Sequence, residues 1–289
     1  MRQKRDCLYR GEQMRFTKMQ GLGNDYIYID GTREAVKDPD VLARAVSDVH
    51  FGAGSDGLVL ILPDQEADFR MRMFNADGSE AEMCGNAARC IGKYVFERGL
   101  TDKTEISLMT GSGIRHLQLQ TEGKRVLSVQ VDMGMPAFDP EEIPVNLPGT
   151  IVINHPVKIE SQTFEITCVS MGNPHAAIFV DDADAFDLSH YGPLLENHPL
   201  FPKKANIEFI TVRNQNHLRM RVWERGSGET WACGTGVTAC AIVSGNHSLV
   251  ARGGDFRVDF EATGKAYENV YLIGPVSLNY TGTWTSSVQ

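Results

Sequence analysis

The amino-acid sequence predicts an α+β protein of two pseudo-symmetric domains, each a mainly antiparallel β-sheet wrapped around a central α-helix, with the active site in the cleft between them. Three observations predict it. At 289 residues the chain is longer than one ordinary domain and suits about two. Shifted by 149 residues, it aligns with itself without a gap at four separate places. In each half, short apolar or alternating runs precede a single helical pattern.

The self-alignment places Gly23-Asn24 on Gly172-Asn173, Arg70-Met71-Arg72 on Arg219-Met220-Arg221, Glu80 on Glu229 and Cys84-Gly85 on Cys233-Gly234. Between Phe69 and Gly85, six of seventeen aligned positions are identical, which identifies an internal duplication. A period near 150 residues is too long for a solenoid unit, so the repeated object is a whole domain.

In chain order, Tyr26–Asp30, Leu58–Leu62, Phe69–Phe74 and Ile106–Met109 read as strands of the first half. Between the last two of these, after Cys84, Ala87, Ile91, Tyr94 and Val95 fall at helical spacing, with Gly99 as a stop. The second half offers strands at Ala177–Val180, Ile207–Thr211 and Leu218–Trp223, then a helix through Val237, Cys240, Ala241 and Ser244 that stops at Gly245-Asn246. The turn Val131–Pro136 marks a boundary. The expected division is a disordered extension at 1–13, an N-terminal domain at 14–131 joined by a C-terminal strand at 276–289, and a C-terminal domain at 132–275.

A net charge of -9 argues against nucleic acid or an anionic membrane as the main partner. No apolar run approaches the roughly 18 residues of a membrane span, and the basic start lacks the apolar core of a secretion signal. These features place the protein in the cytoplasm. Six cysteines in such a chain, with no CxxC pair, suggest neither a disulfide framework nor a zinc site. Cys90 and Cys240 fit the buried faces of the two helices, and Cys7 and Cys168 read as structural or incidental.

Cys84 and Cys233 differ from these. Each precedes a glycine at a helix start, where free amides and the helix dipole favour a thiolate and depress a thiol from its usual value of about 8.5. Two thiols facing each other across a duplicated cleft solve one problem, stereoinversion at carbon. A thiolate removes a proton from one face while a thiol delivers one to the other. A substrate carboxylate resting on the amides of Gly85-Asn86 and Gly234-Thr235 would stabilise the carbanion-like transition state.

At these residues the chain resembles the diaminopimelate epimerase family. The matching stretches are Phe16–Asp25, Phe74–Glu80, Met83–Arg89, Gly172–His175, Asn206–Phe209, Glu224–Thr230 and Ala232–Gly236, in the family's order. The resemblance implies interconversion of LL- and meso-diaminopimelate without pyridoxal phosphate, metal or any other cofactor. It implies Cys84 and Cys233 as the acid/base pair, and Gly85, Asn86, Gly234 and Thr235 as the holders of the reacting carboxylate. Asn24, Asn75, Asn173, Asn206 and Arg225 match residues that hold the substrate, especially its distal end. His175 and Glu224 match the pair beside the reacting amino group. A homodimer is implied as well, with Tyr280 a candidate for its interface.

Two positions depart from the family. The segment Gly52–Gly57 has glycine where some members place a substrate-touching glutamine, so no contact is expected there, and Trp231 stands where a smaller aliphatic residue is common. Two alternatives stay open at this point. One is a proline- or hydroxyproline-type two-cysteine racemase, whose members carry histidine where this chain has Asn86 and lack the Glu224-Arg225 pair. The other is a non-catalytic redox sensor with a reversible Cys84–Cys233 disulfide, which would leave the duplicated Gly-Asn elements and Arg225 unexplained.

Overall fold

The computed structural model describes residues 13–214, 217–263 and 266–285. In the first half β1 (Gln13–Gly21) and β2 (Asn24–Asp30) form a hairpin. After α1 (Pro39–Ser47) come β3 (Gly57–Leu62), β4 (Phe69–Asn75), the short β5 (Glu80–Ala81), α2 (Gly85–Glu97), β6 (Glu105–Thr110), β7 (Gly113–Glu122) and β8 (Arg125–Asp132). The second half opens with β9 (His155–Ile159) and continues with β10 (Gln162–Ser170), β11 (Pro174–Phe179), α3 (Leu188–Glu196), β12 (Asn206–Asn214) and β13 (His217–Glu224). It ends with β14 (Gly228–Thr230), α4 (Gly234–Ser244), β15 (Ser248–Ala251), β16 (Gly254–Thr263), β17 (Ala266–Gly274) and β18 (Ser277–Thr285). The 149-residue offset carries the bounds of β1 onto β10 and those of α1 onto α3.

Pairing runs β18–β1–β2–β3–β4–β6–β7–β8 in one half and β9–β10–β11–β12–β13–β15–β16–β17 in the other. Both sets are antiparallel except at two places each: β2 with β3, β4 with β6, and their counterparts β11 with β12 and β13 with β15. Each parallel pair is bridged by a segment containing a helix, the crossover that parallel strands require. The two sets meet where β8 pairs antiparallel with β17, Asp132 opposite Tyr271. The last strand, β18, returns to the edge of the first half beside β1.

Each sheet has helices on both faces, which explains the unbroken apolar runs. On β2, Tyr26 and Tyr28 join the cluster around α2, while Ile27 and Ile29 join Leu42 and Val46 of α1. β3 divides in the same way, with Val59 and Ile61 inward and Leu58 and Leu60 toward α1. In the second half Leu188 and Leu195 of α3 pack on Ile178 and Phe209. α2 and α4 are the two central helices, and the inner cluster that contains them is continuous through both halves. α4 is buried at nearly every position, as expected of a helix that is apolar all round.

Both central helices stand where the spacing predicts, with Gly99 and Gly245 in the left-handed conformation just past their ends. α1 and α3 were not anticipated; α3 carries an internal Pro193, which argues against a helix on local propensity alone. Residues 1–12, with Cys7 and nearly all of the expected extension, lie outside the described residues, whereas Gln13 already opens β1. Among the described residues no helix is long and apolar enough to cross a membrane.

Candidate active site

Cys84 is the N-cap of α2 and Cys233 the N-cap of α4, both with extended backbone. At an N-cap the following amides lack helical partners, and Gly236 N–H donates to Cys233 Sγ at 3.4 Å. The two helix starts touch. Asn86 donates from Nδ2 to the carbonyl of Ala232 at 3.0 Å, across the seam between the halves, and to Asn24 Oδ1 at 3.2 Å. A Cβ built on Gly234 would lie 3.8 Å from Gly85 Cα, an approach that two small residues permit. Cys84 Sγ donates to Asn24 Oδ1 at 3.5 Å, and Asn24 is itself held by Asp56 at 2.8 Å.

The second half supplies a longer polar chain. His175 is fully buried and bonds Glu208 Oε1 at 2.7 Å through Nδ1 and Asn173 Oδ1 at 2.9 Å through Nε2. Asn173 donates in turn to Thr235 Oγ1 at 3.2 Å, and Thr235 lies 3.5 Å from Cys233 Sγ. Glu224, at the end of β13, accepts from the Thr230 hydroxyl. Asn206 donates to the carbonyl of Pro174 and accepts from the amide of Arg225, fixing the backbone at the Glu224-Arg225 corner. Arg225 itself is exposed, with its guanidinium 3.3 Å from the carbonyl of Lys203. Asn75 is exposed and bonds Ser79 at 2.9 Å.

The electrostatics correct one expectation. The helix starts do not leave the thiols depressed: burial pushes Cys84 up to about 11 against the pull of the Ala87 amide, and Glu224 adds to the rise. Cys233, 5% exposed, is pushed well up by burial, then by Glu224 and Glu208. Burial raises the Glu224 carboxyl too, opposed by its bond from Thr230. Low polarity and carboxylates together outweigh the helix ends.

The structure thus brings Asn24, Cys84, Gly85 and Asn86 of the first half against Asn173, His175, Glu224, Cys233, Gly234 and Thr235 of the second. Asn206 is tied to this group through Arg225, while the side chains of Asn75 and Arg225 lie on the outside. Sequence reasoning missed Glu208, Thr230 and Asp56. Trp231 is 54% exposed, with the Arg252 guanidinium 5.3 Å from its ring, and its Cβ would be 2.9 Å from one added at Gly23. A cavity of about 430 Å³ bounded by Asp68, Ser107, His116, Gln130 and Tyr271 contains none of the candidate residues. Among the described residues no group of three His, Cys, Asp or Glu side chains converges as a metal site would.

The duplicated fold with its facing helix starts is the architecture seen in solved epimerases and in PhzF-family proteins. A hydroxyproline epimerase from Agrobacterium vitis superposes with a TM-score of 0.71 at 18% identity, covering 99% of this chain and 94% of that one. A phenazine biosynthesis protein of the PhzF family from Bacillus anthracis gives 0.67 at 17% identity, covering 94% of this chain and 99% of that one. At such identities the likeness concerns the fold alone. The family profile described as diaminopimelate epimerase matches residues 16–138 and 167–274. A diaminopimelate epimerase from Acetivibrio thermocellus is 51% identical over 276 residues, 93% of this chain and 98% of the relative. One from Methanococcus maripaludis is 47% identical over 93% of this chain and 99% of its own length. The chain belongs to the diaminopimelate epimerase family.

Proposed function

We propose that this chain interconverts LL- and meso-diaminopimelate by a cofactor-independent two-thiol mechanism, Cys84 and Cys233 acting on opposite faces of one α-carbon. The observation that carries the reading is the meeting of two equivalent helix starts, each capped by a cysteine, joined by the Asn86–Ala232 hydrogen bond. In one direction a thiolate takes the α-hydrogen as a proton, forming S–H as C–H breaks and leaving the electron pair on carbon. The opposite thiol gives its proton to the other face, so a new C–H forms and that sulfur becomes the thiolate. The reverse reaction exchanges the two roles.

The carboxylate beside the reacting carbon sits on the amides of Gly85, Asn86, Gly234 and Thr235, where two helix ends favour negative charge. His175 and Glu224 face its amino group. The distal end is held by Asn24, Asn75, Asn173 and Asn206, with the Arg225 fork on the second carboxylate. A substrate ammonium beside Glu224 would offset the carboxylate field that adds to burial in raising both thiols.

The reading takes residues 14–131 with the C-terminal segment 276–289 as one domain and 132–275 as the other; within the described residues the pairing of β18 with β1 supports this. It further takes the protein as a cytoplasmic homodimer with Tyr280 at the interface. Working thiols need a reducing compartment, and Tyr280 is 43% exposed on β18, packed edge-on to Phe16.

The test is exchange of the α-hydrogen of diaminopimelate in heavy water by the reduced protein. Wild type should exchange and epimerise. Cys84→Ser and Cys233→Ser should each lose roughly 10²–10⁴-fold in epimerisation, the usual worth of a positioned acid or base. No exchange by wild type, or either serine variant keeping more than half of the activity, overturns the reading.

A further inference from the structure

The offset that equates the two cysteines also equates Arg89 with Thr238. Both are fully buried, one turn into their helices. Thr238 donates from Oγ1 to the carbonyl of Gly234 at 2.9 Å, and Arg89 donates from Nε to the carbonyl of Gly85 at 3.4 Å, the same i–4 bond at equivalent positions. One of the pair is neutral and the other carries a full charge.

The guanidinium of Arg89 sits in a built cradle. Its Nη2 donates to Asn86 Oδ1 at 2.5 Å, and its plane lies 5.2 Å from the ring centre of Phe256 on β16. A Cβ on Gly274 of β17 would overlap Nη1, and one on Gly21 of β1 would lie 3.4 Å from Nη2. Among the described residues Nη1 has no hydrogen-bond partner and no carboxylate reaches the group. A buried cation left without an anion is costly. The titratable groups that could compensate it on ionising, Cys84, Cys90 and Tyr28, are themselves pushed up by burial.

Two consequences follow for the site. Because Asn86 Oδ1 is taken by Arg89, its amide NH₂ must point at Asn24 and at Ala232, which orients the bond that joins the halves. The two thiols also sit in unequal fields. Charged and titratable groups facing Cys84 are Glu224 at the end of β13, Tyr26 and Tyr28 on β2, and Cys90 and Arg89 on α2; β16 and β17 present apolar Phe256 and Leu272 there. Cys233 faces Glu224 and Glu208, with Thr238 where a cation would stand.

We propose that Arg89 is a positioning residue whose buried guanidinium fixes the start of α2 through Asn86 and supplies the Cys84 thiolate with a positive field that Cys233 lacks. The inference rests on the two-thiol reading of the site, and its test is independent of turnover. The full-length protein is treated with iodoacetamide across a pH series, and alkylation of Cys84 and Cys233 is followed separately by peptide mass spectrometry. Wild type is compared with Arg89→Lys, Arg89→Gln and Arg89→Met. Methionine suits an apolar cradle, since a buried charge replaced by an apolar side chain of similar size often folds as well or better. Loss of the charge should raise the Cys84 midpoint by about one pH unit, roughly 10-fold in rate at a fixed pH below it. Arg89→Lys should restore most of that shift, and the Cys233 midpoint should stay in place. If folded Arg89→Met or Arg89→Gln alkylates Cys84 with the wild-type profile, or if Arg89→Lys shifts as far as Arg89→Met, Arg89 is structural and the proposal fails. Retained epimerisation in Cys84→Ser would overturn the two-thiol reading instead.

Discussion

Arg225 shows what a single side chain contributes to substrate choice. Its backbone amide is pinned by Asn206 while its guanidinium stays outside, near the carbonyl of Lys203. It can therefore meet a distal carboxylate as substrate fills the site. Lysine has the second ammonium of diaminopimelate but no second carboxylate, and leaves that fork unpaired. Sites that bury such a polar group on binding reject analogues lacking its partner by roughly 10⁴–10⁵-fold, which here requires that Arg225 be covered once substrate is in place. Arg225→Met should weaken kcat/KM for diaminopimelate severely while narrowing the gap to lysine. Equal turnover of lysine and diaminopimelate by the wild type would remove Arg225 from the specificity argument. Residues of this kind were legible because they repeat at a fixed offset or stand in a recognisable motif. Glu208 was not. It lies inside the apolar run Ile207–Ile210 and reads as one alternating position of a buried strand. Its bond to His175 depends on the parallel pairing of β11 with β12, which sets Ala177 opposite Glu208 two residues from His175. No local pattern announces a parallel register.

At the scale of elements, the halves are keyed together by the turn between β1 and β2. Leu22 and Gly23 of that turn rest on Trp231 and Gly253 of the second half, and the Gly253 amide donates to the carbonyl of Trp231 at 2.8 Å. A Cβ on Gly253 would overlap the Leu22 carbonyl, a backbone atom that cannot rotate away. Gly99, past the end of α2, makes a useful contrast: its φ is +68° but open space surrounds it. Gly99→Ala should cost about 1–2 kcal/mol of stability through backbone strain and leave kcat/KM nearly unchanged. Gly253→Ala must displace the turn that carries Asn24, the partner of Cys84 and Asn86. Its loss of kcat/KM should therefore exceed 10-fold, and exceed what its change in Tm explains, with ~1.4 kcal/mol per tenfold as the conversion. Thermal melts beside kinetics for both variants decide it; a Gly253→Ala enzyme as active as Gly99→Ala would show that the turn does not hold the site.

Across the whole molecule, the duplication was the most legible feature, because two copies of one pattern reinforce each other wherever they align. The seam between β8 and β17 was not legible. It joins strands about 140 positions apart in sequence, and the constant offset has already failed there: 149 residues beyond β6 lies β16, whereas the strand paired with β13 is β15. A property that emerges only at this scale is the burial of the thiols. Cys90 and Cys168 are both pushed up to about 12 and Cys84 to about 11, in each case first by burial. Thiols raised in the folded protein stay protonated at a pH where those of the unfolded chain, near 8.5, have ionised. Above that value the unfolded state binds fewer protons, so the stability each thiol contributes is fully present below about pH 8.5 and is lost as pH rises toward its folded value. The slope is about 1.4 kcal/mol per pH unit for each thiol. Cys168, fully buried on β10 among Ile166 and Ala176, is the cleanest probe. Cys168→Ala should be less stable than wild type at pH 7.5 through lost packing. That deficit should shrink by about 1.2 kcal/mol between pH 9 and pH 10, because the variant no longer has this thiol to hold neutral. Urea unfolding of both proteins at pH 7.5, 9 and 10 measures the gap directly, and a gap that stays constant over that range would show that folding does not hold Cys168 in its neutral form.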